Sequence, residues 1–272
     1  MVLTPDFLEP LPRLLGTSES DNEILTVQQA ADVFPGGVLG LNGDDTMGGS
    51  AAADLIRGGK GDDDILGNGS DDRLFGDKNR DFLDGGLGND TLRGGKGVDL
   101  LFGGEGADTL IGEVDVDIYK GGGGSDSFVL RRDQAGLVQD LGIINIIPGL
   151  PDNIQLPDAI VTDFNPAEDS LLLTEGLTKA DLTFEEFNSF NEFNVNANVI
   201  LPIILGAEPD GLEFLAKAGI SLSDLDPDGD GVLEGTAITI DGGRLLSYVL
   251  NTTPETLSAL PDANFITTEG II

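Results

Sequence analysis

Ten aspartates recur at intervals of nine residues: Asp45, Asp54, Asp63, Asp72, Asp81, Asp90, Asp99, Asp108, Asp117 and Asp126. An ionised carboxylate only accepts hydrogen bonds, and columns of them repel unless a cation lies between. Hard divalent cations take carboxylate and carbonyl oxygens, and because Mg2+ dehydrates reluctantly the pattern favours Ca2+, several ions over the array. Other chemistry is scarce, since the chain has no His, no Cys and no Trp. Without imidazole or thiol it can build no Ser-His-Asp triad, Cys-His dyad, HExxH site, zinc finger or disulfide framework. The 49 acidic residues against 14 basic ones give a formal net charge of -35. That balance argues against nucleic acid or an anionic membrane as the main partner and makes a cation the natural one.

The aspartates are positioned by nonapeptides in unbroken register from Gly40 to Val129: GLNGDDTMG, GSAAADLIR, GGKGDDDIL, GNGSDDRLF, GDKNRDFLD, GGLGNDTLR, GGKGVDLLF, GGEGADTLI, GEVDVDIYK and GGGGSDSFV. The first residue is always Gly and the sixth always Asp. The eighth is always large and apolar: Met47, Ile56, Ile65, Leu74, Leu83, Leu92, Leu101, Leu110, Tyr119 and Phe128. A Gly-rich hexad supplies the positive-φ positions of a turn. The remaining three residues put one apolar side chain inward between two outward ones, the period of a very short strand. Two nonapeptides make an 18-residue coil, and ten make about five coils stacked at the roughly 4.8 Å strand spacing.

This pattern, GGxGxDx(apolar)x, resembles the RTX (haemolysin-type) calcium-binding repeats over about 90 of the 272 residues. The resemblance implies calcium between turns two repeats apart on one side of the roll, held by sixth-position Asp and by backbone carbonyls of the hexads. Full hexads begin at Gly58, Gly85, Gly94, Gly103 and Gly121, whereas GSAAAD, GDKNRD and GEVDVD lack most glycines. The firmest sites are expected between Asp90 and Asp108 and between Asp108 and Asp126, with weaker or empty ones near Gly49, Gly76 and Gly112. Lys60, Lys78 and Lys96 hold the third hexad position of alternate repeats and should form a column. Relief of local negative charge is the simpler account of that column, and a site for acidic glycans the other. Leu66, Phe82, Leu100, Phe102 and Ile118 should form an outward apolar strip that something covers.

The expected fold class is all-β: a parallel β-roll at 40–129 followed by a β-rich C-terminal domain with short helices at 130–272. Residues 1–39 read as a lead-in that caps the roll, with a short helix from Thr26 to Val33. In the C-terminal part, strands are expected at Ile143 to Ile147, Ser170 to Leu173, Asn198 to Leu205, Ala237 to Ile240 and Leu245 to Leu250. Helices are expected near Leu212 to Ala218 and Pro254 to Leu260. Within it, residues 226–237 resemble the front of an EF-hand loop, with Asp226, Asp228 and Asp230 at positions 1, 3 and 5. Position 12 is Ala237 where a bidentate Glu is usual, so Glu234 or an acid from elsewhere would have to complete the shell.

Calcium-dependent folding is the function these residues support best. No membrane span and no N-terminal signal peptide are read from the sequence. The RTX resemblance implies type I export to the exterior or cell surface, with the tail Asn264 to Ile272 as one candidate signal. The expected role is a non-catalytic structural, surface or adhesion module that meets calcium and a cell-surface or matrix component. The alternative is a secreted carboxylate-based hydrolase with its site in the C-terminal domain, for which Asp163, Glu168 and Asp169 are the candidates. A surface-binding roll would want an outward Thr or Asn ladder, and the third hexad positions lack one.

Overall fold

The computed structural model describes residues 4–6, 13–15, 25–26, 37–132, 157–188, 211–230 and 232–268. It divides into two compact units, residues 1–113 with 120–127 and residues 114–119 with 128–272.

The first unit opens with β1 (Thr4–Asp6), β2 (Arg13–Leu15) and β3 (Leu25–Thr26). The repeats follow as β4 (Val38–Asn42), β5 (Thr46–Gly48), β6 (Leu55–Lys60), β7 (Asp64–Leu66) and β8 (Arg73–Lys78). They continue as β9 (Phe82–Leu87), β10 (Thr91–Lys96), β11 (Leu100–Glu105), β12 (Thr109–Val114), β13 (Asp117–Gly123) and β14 (Ser127–Leu130). One sheet has the order β2-β4-β6-β8-β10, the other β3-β5-β7-β9-β11. The repeat strands pair in parallel with the residue 18 positions on, as in Ile56↔Leu74, Leu74↔Leu92, Met47↔Ile65, Ile65↔Leu83 and Leu83↔Leu101. This is a parallel β-solenoid of about five turns. All ten eighth-position side chains are buried, which makes them its inner row.

Most repeat strands are six residues long where three were expected. The extended backbone runs on through hexad positions 1 to 3 because those residues also stack on the coil before, as Gly95↔Asp77 and Lys96↔Lys78 show. A left-handed residue at position 2 kinks the strand without ending it, as at Gly95 (φ 116). In the lead-in, β2 lies parallel to β4 and β3 parallel to β5, while β1 pairs antiparallel with β2. Thr26 belongs to β3, not to a helix; the rest of the helix expected up to Val33 lies outside the described residues. Of the apolar strip, Phe82, Leu100 and Ile118 are buried and Leu66 and Phe102 half-buried. The Lys120 ammonium lies 4.9 Å from the Phe102 ring.

The second unit contains β15 (Ala159–Val161), β16 (Ser170–Leu173), β17 (Thr183–Asn188), β18 (Glu234–Ile240), β19 (Arg244–Leu250) and β20 (Phe265–Thr267). Its helices are α1 (Gly211–Lys217), α2 (Leu222–Leu225) and α3 (Pro254–Ala259). Residues 117–119 pair with β15, which pairs with β19, so that Ile118, Ile160 and Tyr248 lie side by side. Phe187 of the antiparallel β17-β18 pair stacks on Tyr248 at 3.8 Å between ring centroids. Helix α3 starts where expected, with Thr253 Oγ1 accepting from Thr256 N and Pro254 in the first turn. The segments expected as strands at Ile143 to Ile147 and Asn198 to Leu205 lie outside the described residues. Within the tail from Asn264 to Ile272, β20 pairs with β16 through Phe265↔Leu171.

Candidate metal centre

Each sixth-position Asp is placed by its hexad. The preceding turn takes a left-handed backbone at hexad positions 2 and 4, as at Gly59 (φ 116) and Gly61 (φ 129). Hexads without glycine at those two positions make the same turn: Asn68 and Ser70, Asp77 and Asn79, and Glu113 and Asp115 all have φ between 74 and 96. A non-Gly residue there costs roughly 1–2 kcal/mol. GSAAAD is the exception, with no positive φ at 50–53. The first glycine is required for another reason: a Cβ on Gly58, Gly85, Gly94 or Gly103 would collide with Oδ2 of its own hexad's Asp. First-position carbonyls stack in the same place, Gly103 O facing Gly85 and Gly121 O facing Gly103.

The carboxylates themselves are buried and half-bonded. Oδ1 of seven of them accepts from the backbone N–H of the Asp 18 residues earlier: Asp45 N to Asp63 (2.8 Å), Asp54 N to Asp72 (2.7 Å), Asp63 N to Asp81 (2.9 Å) and Asp72 N to Asp90 (2.7 Å). The series continues with Asp81 N to Asp99 (2.9 Å), Asp90 N to Asp108 (2.7 Å) and Asp108 N to Asp126 (3.0 Å). Asp117 is buried as well. The other oxygens, Oδ2 of Asp63, Asp72, Asp81, Asp90 and Asp108, are buried with no hydrogen-bond partner. Burial, opposed by the backbone hydrogen bond and reinforced by neighbouring acids, pushes Asp63, Asp72 and Asp108 up to about 7. Burial and then the Asp99 charge push Asp81 up to about 10. A dehydrated, partnerless carboxylate oxygen beside stacked carbonyls is the donor set a calcium ion takes.

The stacking bond is 2.9 Å at the glycine-poor Gly76 hexad and 2.7 and 3.0 Å at the full ones, so this geometry does not single out the pairs Asp90/Asp108 and Asp108/Asp126. The Gly49 hexad does differ: Ser50 N and Ser50 Oγ both donate to Asp54 Oδ2, at 2.5 and 3.0 Å.

A second ladder was not anticipated. Fifth-position side chains accept from the N–H 18 residues later: Asp44 from Asp62, Asp62 from Arg80, Asp71 from Asn89 and Asn89 from Ala107, at 2.8–3.2 Å. The recurrence of Asp and Asn at that position was the available signal. The two ladders run in opposite senses along the roll.

In the second unit, Asp226, Asp228 and Asp230 are brought together, with one carboxylate oxygen from each within 4.8 Å of the others. Their oxygens accept from loop N–H groups: Gly229 N to Asp226, Asp230 N to Asp228 and Val232 N to Asp230, at 2.8–3.2 Å. Asp228 and Asp230 are exposed. Glu234 is not part of this group; it opens β18, and Ala237 is buried opposite Tyr248. The hydrolase candidates Glu168 and Asp169 both serve one turn, Glu168 Oε2 accepting from Asn165 Nδ2 and Asp169 Oδ2 from Asn165 N.

A parallel solenoid whose turns line up buried carboxylates at an 18-residue interval is a β-roll with a donor set that fits a hard cation. The family model for RTX calcium-binding nonapeptide repeats, built of four copies, matches residues 39–74, 66–101 and 93–128. Residues 39–128 are therefore an RTX repeat array, a calcium-binding structural module. Neither the curated proteins nor the solved structures contain a match to the chain.

Proposed function

We propose that the chain folds on binding calcium outside the cell and acts there as a non-catalytic structural, surface or adhesion module. The observation that carries this reading is the row of buried Oδ2 atoms without hydrogen-bond partners. Without cations the folded roll holds dehydrated carboxyl groups whose ionisation is opposed by burial and by the neighbouring acids. When free calcium exceeds a site's dissociation constant a hundredfold, binding stabilises the fold by about 2.7 kcal/mol per site. Several sites in one stack then make folding a response to calcium concentration. The RTX array supports export as an open chain into calcium-rich surroundings. Engagement of Glu168 and Asp169 in the Asn165 turn supports a non-catalytic role.

Far-UV circular dichroism and hydrodynamic radius through a calcium titration, with magnesium as control, test the proposal. The expected result is a cooperative, calcium-specific gain of β signal with compaction. A chain already compact in chelator and indifferent to calcium would refute it.

A further inference from the structure

Six cations, Arg57, Lys60, Arg73, Lys78, Arg93 and Lys96, fall on the three neighbouring strands β6, β8 and β10. The strands β5, β7, β9 and β11 of the other sheet carry none. In a chain with 14 basic residues and a net charge of -35 this is a strong segregation.

Within that face the arginines and the lysines do different things. Arg57 pairs with Asp77 and Arg93 with Glu113, each at 3.3 Å, and the two guanidinium groups flank the Phe75 ring at 4.7 and 6.0 Å. Asp77 of β8 and Glu113 of β12 are thereby paired. Lys60, Lys78 and Lys96 are exposed and form no ion pair among the described residues. Lys78 lies near Asp77, but the ion pair belongs to Arg57. Lys78 favours the Asp77 carboxylate less than Arg57 does, and no lysine of the column forms an ion pair among the described residues. Along the same turns the fifth position changes from Asp44 and Asp62 to Arg80 and Val98, so the edge grows less acidic from Lys78 onward.

We infer that the column Lys60, Lys78, Lys96 is a binding surface for a linear carboxylated polysaccharide. The lysines recur every 18 residues, one per rung, at the strand spacing of about 4.8 Å. Ammonium groups are compact point charges, suited to carboxylates displayed singly along a polymer. Single-stranded nucleic acid needs aromatic stacking platforms as well as charge. The aromatic ring of this face, Phe75, is enclosed between two arginines. The inference rests on the calcium-loaded roll, because the Asp columns must be neutralised before a polyanion can approach.

The test titrates oligogalacturonates of defined length onto the full chain in calcium, with circular dichroism on the same samples. Binding should weaken with added salt. The triple variant Lys60→Glu, Lys78→Glu, Lys96→Glu should keep the calcium-induced β signal and lose affinity by about tenfold or more. Lys120→Glu, on β13, should leave affinity within about twofold. Undiminished binding by the triple variant would assign the interaction to calcium bridging and overturn the inference. So would tighter binding of oligothymidylate, or no binding by a chain that circular dichroism shows to be folded. If calcium induces no β signal at all, the folding proposal fails first and this inference with it.

Discussion

The acids of the roll and the acids of the 226–230 loop are one chemical group in opposite circumstances. In the roll, Oδ1 is tied to the preceding coil and Oδ2 is dry and partnerless, as in Asp63, Asp81 and Asp108. In the loop, Asp228 and Asp230 are exposed and accept from their own loop's N–H groups. Proximity of carboxylates is common to both; dehydration belongs to the roll alone. Ionising the roll acids is therefore opposed by burial, while the exposed loop acids keep their contact with water.

The largest expected effect separates the two by pH. In chelator, Asp63, Asp72 and Asp108 titrate near 7 and Asp81 near 10 when folded, against about 3.9 unfolded. These raised values mean the folded roll binds more protons than the unfolded chain across that window. Its chelator stability is thus fully present below about pH 4 and is lost as pH rises through about 7 and then toward 10. Calcium should cancel this loss, since it binds the deprotonated ligands. Thermal unfolding across pH with and without calcium checks it; a calcium-free roll that gains stability from pH 5 to 8 would contradict the comparison.

Next in size, Asp108→Asn keeps an oxygen to accept from Asp90 N and removes a buried charge. It should stabilise the calcium-free roll by about 1–3 kcal/mol and lower the calcium stoichiometry read by isothermal titration. Asp228→Asn should shift stability by no more than about 0.5 kcal/mol in either condition. Equal responses from the two would erase the distinction drawn here. Between these, Arg57→Ala removes the Asp77 ion pair and the Phe75 contact, and should cost about 0.5–1 kcal/mol with or without calcium. A calcium-dependent cost would tie that arginine to the metal stack instead.

The inner row from Met47 to Phe128, the sixth-position Asp columns and the lysine column were all legible in the sequence, because each is a single residue type at a fixed interval. Strand length was not, since whether GGK continues a strand depends on the coil beneath it and not on GGK itself. Turn conformation at Asn68, Asp77 and Glu113 was hidden for the same reason: neighbouring coils impose a left-handed backbone that the residues alone would not choose. The Arg57–Asp77 and Arg93–Glu113 pairs share a 20-residue offset that a period-nine reading passes over. In the second unit, β17 was missed because Glu185 and Glu186 interrupt its alternation, and β20 because three residues carry too little pattern.

The sequence repeats every nine residues, but the stacking bonds of the sixth-position carboxylates span 18. That difference sets the step by which such a chain can change length. Inserting 18 residues adds one rung and leaves each neighbour with the partner it had. Inserting nine exchanges the two edges beyond the insertion, so that lysines formerly in one file would stand on opposite sides. The modular unit is the pair of repeats, and a lengthened or shortened version of this protein that keeps its files intact must be built in whole pairs.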